Sequence, residues 1–149
     1  MATILGISCY YHDSAASIIK DGKILAAATE ERFSRKKHDF GFPVNAINFC
    51  LNSASIDASN LDYAVFHEKP FVKFERLMMT ILEAYPTTST VFRESMVSWL
   101  KDKLWIKNTI KNKLKINDEN KILFSDHHLS HAASAFFCSP FEKSTIITA

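Results

Sequence analysis

Glycine and proline are scarce in this 149-residue chain, with three of one and four of the other. No glycine falls in Cys9-Tyr10-Tyr11-His12-Asp13, the bend after the first strand-like run. The glycine-rich turn that cradles phosphate in sugar kinases and actin-like ATPases therefore has no counterpart there. Cysteine is sparse too: Cys9, Cys50 and Cys138 are odd in number and far apart. That argues against a disulfide scaffold and for a reducing, cytoplasmic home. No apolar run is long enough to span a bilayer. A strand-like run begins at once, so no signal peptide is expected. Internal repeats and low-complexity tracts are absent. Neither sign of charge dominates, and the formal net charge of +2 argues neither for nor against an anionic partner. No nucleic-acid or membrane partner is expected.

What is present is the composition of a globular domain, 47% hydrophobic and 23% charged, with enough length for one real core. Thr3-Ile4-Leu5-Gly6-Ile7-Ser8 reads as a central strand. Ala15-Ala16-Ser17-Ile18-Ile19-Lys20 and Lys23-Ile24-Leu25-Ala26-Ala27-Ala28-Thr29 read as two more, joined by the hairpin signal Asp21-Gly22. Pro43 suits the first turn of a helix over 43–52, with Val44, Ile47 and Leu51 on one face. Residues 61–66 and 121–124 are further strands, and a helix follows over 126–138, ended by Ser139-Pro140. The resulting order is β-β-β-α-β-α-β-α, the layout of a ribonuclease-H-like lobe of the actin, Hsp70 and sugar-kinase superfamily.

Residues 69–120 are a helical insertion. Phe71, Phe74, Met78, Ile81, Leu82 and Tyr85 are spaced as one helix. After Pro86-Thr87-Thr88-Ser89, Val91, Met96, Trp99, Leu100 and Leu104 make a second. Lys101, Lys103, Lys107, Lys111, Lys113 and Lys115 make its end basic, with only Asp102 as an offset. Such a run is a solvated lysine face or, beside a site, an acceptor-binding surface. Trp99 and Trp105 are core residues or a platform for a sugar. Residues 144–149 read as a buried strand that stops without a turn, so a longer polypeptide is expected. A bare terminal strand could also pair with a second copy, giving a homo-oligomer.

The candidate chemistry centres on Ser125-Asp126-His127-His128-Leu129-Ser130-His131. His127 and His131, four apart on a helix, share a face and can hold a divalent metal. Leu129, Ala132, Ala133 and Phe136 form the apolar face expected to lie on the sheet, and Ser125 or Asp126 can cap the helix. A zinc protease needs Glu straight after the first His; His128 stands there and excludes that reading. His128 is rotated about a quarter turn from the pair and points to a nucleotide or a neighbouring loop. In the first bend, His12 can bind an oxyanion or act as a general acid or base. Among Glu30-Glu31-Arg32-Phe33-Ser34-Arg35-Lys36-Lys37-His38, Arg32 and Lys37 are candidates for phosphate or carbonyl contact. Glu30 can orient one of these bases, whereas Lys36 and Glu31 read as surface.

The run from His127 to Phe136 resembles the metal-site helix of NodU-type O-carbamoyltransferases. Gly6-Ile7-Ser8, His12-Asp13-Ser14-Ala15-Ala16 and Glu30 to Asp39 resemble the same family in the same order. The family is related to the tRNA threonylcarbamoyl transferase and to hydrogenase-maturation carbamoyltransferases. The resemblance implies an N-terminal lobe of a chain several times longer. It implies a carbamoyl-adenylate, made from carbamoyl phosphate and ATP in a YrdC-like domain, and an acceptor hydroxyl on a sugar or secondary metabolite. It also implies iron at His127 and His131, completed by two aspartates beyond Ala149, and His12 within the carbamoyl-adenylate site. On this reading His12 and Lys37 are catalytic, and His12, Arg32, Lys37 and His128 touch the nucleotide. Two rivals are a nucleotide-binding lobe of an actin-like ATPase or sugar kinase, and a non-catalytic module that binds through the basic insertion.

Overall fold

Alternation of buried and half-buried residues along the β-rich runs sets the frame. The computed structural model describes residues 2–148. β1 (Thr3–Ser8), β2 (Ala15–Lys20) and β3 (Lys23–Thr29) form the expected antiparallel meander. Asp21 and Gly22 both take positive φ, 52° and 78°, the turn whose twist suits a two-residue hairpin. β4 (Tyr63–Phe66) pairs parallel with β1, and β5 (Ile122–Phe124) pairs parallel with β4. The sheet order is therefore β3-β2-β1-β4-β5. Parallel neighbours cannot be joined by a tight turn. α2 (Val44–Ala54) leads into β4, and α3 (Pro70–Glu83), α4 (Ser89–Lys101) and α5 (Ile106–Leu114) lead from β4 to β5. A single turn, α1 (Glu31–Ser34), follows β3, and α6 (His127–Phe136) follows β5. The result is a mixed α/β domain.

One sheet face carries Leu5, Ile7, Ala16, Ile18, Ala64, Phe66 and Ile122, all buried. It packs with Ala46, Ile47, Cys50 and Leu51 of α2 and Ile106, Ile110 and Leu114 of α5. The other face, with Ile4, Gly6, Ser17, Ile19 and Val65, is only half-buried and floors an open groove. Among the described residues no helix is long and apolar enough to cross a membrane.

Several expectations are corrected. The buried stripe of α2 is centred on Ala46, Ile47, Cys50 and Leu51, and Val44 is exposed. The insertion holds three helices, because Asp102 closes α4 and a 3-10 turn over Lys103–Trp105 redirects the chain into α5. Asp102 is not the sole offset to the lysines: Glu119 pairs with Lys111 at 2.6 Å and Lys107 at 3.1 Å. Trp99 is buried against Phe74, whereas Trp105 is exposed and donates from Nε1 to the Leu100 carbonyl. Residues 144–148 form no strand and are exposed; they pair with neither edge strand of the sheet, β3 or β5. Ala149, the last residue of that expected strand, lies outside the described residues.

Glu30 has a structural task that the sequence reading misplaced. It is buried and orients no base. Its carboxylate accepts from the Asn45 N–H (3.2 Å), the Asn45 side-chain amide (2.7 Å) and the Ala46 N–H (2.8 Å). The residue before α2 is Pro43, which has no capping group. Glu30 therefore satisfies first-turn amides of α2 from the end of β3.

Glu30→Ala strands those donors, and urea unfolding is expected to show a loss of about 3 kcal/mol. A second expectation concerns pH. Hydrogen bonds from Lys111 and Lys107 hold the Glu119 carboxyl below its usual 4.5. Its folded-state value is depressed, so its contribution is present above the unfolded value and lost as pH falls through the folded one. The melting-temperature difference between the protein and its Glu119→Gln variant should be small at neutral pH. It should vanish in acid.

Candidate functional site

The parallel strands deliver three segments to one edge of the sheet. After β5, the Ser125 N–H donates to the Phe66 carbonyl at 2.9 Å, holding the exit beside β4. Asp126 takes the extended N-cap conformation of α6, yet neither its side chain nor that of Ser125 caps the helix. The Ser130 hydroxyl lies 3.0 Å from the carbonyl oxygens of both His67 and Asp126, and so ties α6 to the end of β4. The apolar face expected to lie on the sheet does not do so fully. Leu129 is 62% exposed and α6 buries no residue. The helix stands at the rim of the open face, where only its Ser130 and Ala133 line the groove.

That placement brings His127 and His131 together. Their Nε2 atoms are 3.1 Å apart and their rings nearly perpendicular, at 86°. Two atoms bonded to one ion at about 2.1 Å and 90–110° apart lie about 3.0–3.4 Å from each other, so this separation fits chelation of a single ion. His128 is exposed, its ring 5.8 Å from that of His127, and it does not join the Nε2 pair.

Two residues missed in the sequence complete the cluster. His67 and Glu68 follow β4 directly, and with His127 they offer ligand atoms within 4.8 Å of one another. His67 is held by its N–H bond to the Ile7 carbonyl, at 3.2 Å. Its Nδ1 is buried without a partner. Burial pushes its pKa down; Glu68 opposes that shift and His127 adds to it. Glu68 is only 5% exposed. Its Oε2 accepts from Lys73 at 2.8 Å and lies 3.5 Å from His127 Nδ1. The available signal was the pattern itself: an apolar strand, Tyr63-Ala64-Val65-Phe66, followed at once by two ionisable residues. Ligands of open α/β sheets bind at such carboxyl ends.

The first bend reaches this cluster through Tyr11 rather than His12. The Tyr11 ring is 5.8 Å from that of His67, with Lys73 Nζ 4.1 Å and Lys103 Nζ 4.7 Å from its centre. Its hydroxyl is buried and unpartnered, and burial raises its pKa. Burial, then repulsion from Lys73, lowers that of Lys103. His12 itself is exposed. The bend is laced to the segment after α1: Tyr10 N–H donates to the Phe40 carbonyl and Ser14 N–H to that of Asp39, at 2.8 and 2.7 Å. Asp13 meets His38 Nδ1 at 2.9 Å. Lys37 is exposed on that segment, and Arg32 is exposed on the groove wall beside Phe33. Among the described residues neither Arg32 nor Lys37 bonds to the histidine cluster.

The groove has a volume of about 890 Å³ and runs from Arg32 to His67 and Ser130 over a floor of small side chains. A Cβ on Gly6 would stand 2.9 Å from Ser17 Oγ, so glycine keeps that floor low. A smaller hollow of about 250 Å³ lies beside His131, lined also by Ala135, Ile146, Ile147 and Thr148.

An open groove that ends in a cluster of imidazoles and a buried carboxylate, at the carboxyl edge of parallel strands, lies where open α/β sheets commonly hold ligands. The chain belongs to the family described as carbamoyltransferase N-terminus, whose model matches residues 3–148. It is 50% identical to the uncharacterized protein sll1178 of Synechocystis, over 99% of this chain and 25% of that protein. It is 34% identical to the nodulation protein NolNO of Sinorhizobium fredii, over 93% of this chain and 19% of that one. With the uncharacterized protein MJ1058 of Methanocaldococcus jannaschii the identity is 29%, over 99% of this chain and 30% of the relative. The chain thus spans less than a third of the length of each of these relatives.

Ser130→Ala removes the tie between α6 and β4. We expect it to lower stability by about 1 kcal/mol in urea unfolding, with Ser134→Ala, whose hydroxyl bonds only within α6, closer to neutral.

Proposed function

We propose that this chain is the N-terminal lobe of an ATP-dependent O-carbamoyltransferase. The enzyme moves a carbamoyl group to an acceptor hydroxyl, on a sugar or secondary metabolite, from carbamoyl-adenylate. That intermediate is made from carbamoyl phosphate and ATP in a YrdC-like domain. The observation that carries this reading is the convergence of His127 and His131 beside the groove, in a member of this family. The strand order, a three-stranded meander extended by two parallel strands, supports the ribonuclease-H-like lobe. A second lobe would close the groove.

His127 and His131 would hold the divalent ion, which the resemblance makes iron. When bound, it supplies a Lewis acid that draws electrons from the carbamoyl carbon. The protein groups do the rest. The bend bearing His12 and the segment bearing Lys37 are laced into one unit by the Ser14–Asp39 and Asp13–His38 contacts. Both side chains are free to meet the leaving phosphate, His12 as acid and Lys37 as fixed charge. Arg32 offers a two-pronged contact to phosphate from the groove wall, and His128 contacts the nucleotide from its exposed position. Closure by a second lobe would exclude bulk water from the groove and strengthen these contacts.

The test uses the full-length protein with carbamoyl phosphate, ATP and a panel of hydroxyl acceptors, following carbamoylated product by mass spectrometry. His127→Ala and His131→Ala are expected to lower transfer by about 100-fold or more, while carbamoyl-adenylate still forms. Lys107→Ala and Lys111→Ala should leave transfer unchanged. Transfer at the original rate in both histidine variants would overturn the metal role of the pair, and no carbamoylated product from the unaltered protein with any acceptor would overturn the transferase reading in favour of a binding module.

A further inference from the structure

Behind the histidine pair sits a buried carboxylate that neither rival nor resemblance assigned a task. We infer that Glu68 is a positioning residue. It accepts the Nδ1–H of His127 and so leaves that ring's Nε2 lone pair aimed at His131 and a shared cation. The inference rests on the proposed metal role of the pair.

A neutral imidazole has one N–H and one lone pair, and the partner of one nitrogen decides the state of the other. His127 Nδ1 is buried without a hydrogen-bond partner, and Glu68 Oε2 stands 3.5 Å from it. A carboxylate can only accept, so the ring atom facing it is the one that carries hydrogen. The opposite atom, Nε2, is the one that faces His131 at 3.1 Å. An imidazole that ligates through one nitrogen and gives its other N–H to a carboxylate is held in both tautomer and direction.

Glu68 is itself fixed from outside the sheet. Its buried charge is matched by Lys73 at 2.8 Å, on the first turn of α3. The same ammonium lies over the face of Tyr11, a cation–π contact that holds the lysine in place. The helical insertion thus reaches the histidine pair through one lysine and one carboxylate.

The same cluster permits a competing arrangement, in which His67, Glu68 and His127 ligate a cation directly. The two make opposite demands on His127. Ligation through the ring atom that faces Glu68, Nδ1, uses its lone pair and requires hydrogen on Nε2; positioning requires the reverse.

Two readouts on the full-length protein decide between them. In the metal-free protein, long-range ¹H–¹⁵N spectra of the histidine rings are expected to show His127 as the Nδ1–H tautomer. Glu68→Met, which removes the acceptor at similar volume, should shift it to a mixture, and Glu68→Gln should restore most of the preference. Titration with Co²⁺ should show affinity reduced about 10–100-fold in Glu68→Met and less in Glu68→Gln. If the methionine variant does not fold, the glutamine variant still answers, with a loss of a few-fold. An Nε2–H tautomer at His127 would overturn the inference. So would unchanged Co²⁺ affinity, or binding abolished as completely as by His127→Ala. Undisturbed Co²⁺ binding in His131→Ala would instead sink the metal role of the pair, while the metal-free spectra still report on Glu68 by themselves.

Discussion

The pairing of β1 on both edges, antiparallel to β2 and parallel to β4, is the constraint from which the rest follows. Because β1, β4 and β5 run the same way, the residues that leave their carboxyl ends emerge side by side. Tyr11, His67 with Glu68, and His127 come from segments far apart in the chain, and they meet only because the β1–β4 and β4–β5 ladders are in register. The burial of Leu5, Ile7, Ala64 and Phe66 on the opposite face fixes that register. A slip of one residue in β4 would send Phe66 into the groove and turn the whole strand over.

Periodic parts of the fold were legible. The meander, its Asp21-Gly22 turn and the helical nature of the insertion all announce themselves within short windows. Local chemistry was legible too, since His127 and His131 are one helical turn apart. Non-local chemistry was not. Glu30 read as the start of a charged loop, whereas its carboxylate serves a helix that begins more than a dozen residues later. Glu68 and His67 gave no periodic sign, and their meaning lies in what the neighbouring strand brings to them. The apolar face of α6 and the β-rich run over 144–148 illustrate the opposite error. Both have the pattern of buried elements, yet α6 leaves Leu129 exposed with Ala132, Ala133 and Phe136 only half-buried, and residues 144–148 are exposed throughout.

Membership of the carbamoyltransferase N-terminus family and the arrangement of the site bear on different parts of the function. The family's description names a carbamoyl group, which the proposed function takes as the group moved. The geometry bears on how these residues can share the work, with imidazoles at the rim, Lys37 on the segment after α1, Arg32 on the groove wall, and a buried carboxylate behind. The helical insertion joins these levels, because α5 belongs to the core through Ile106 and Ile110 while α3 presents Lys73 to the site.

The groove floor, built from glycine, alanine and serine between the flanks of Ile4, Ile19 and Val65, has a calorimetric consequence. Whatever settles on it removes mostly hydrocarbon from water. Association there should carry a negative heat-capacity change, with an enthalpy that grows more favourable as temperature rises. Occupancy would also raise the melting point in proportion to the logarithm of ligand concentration.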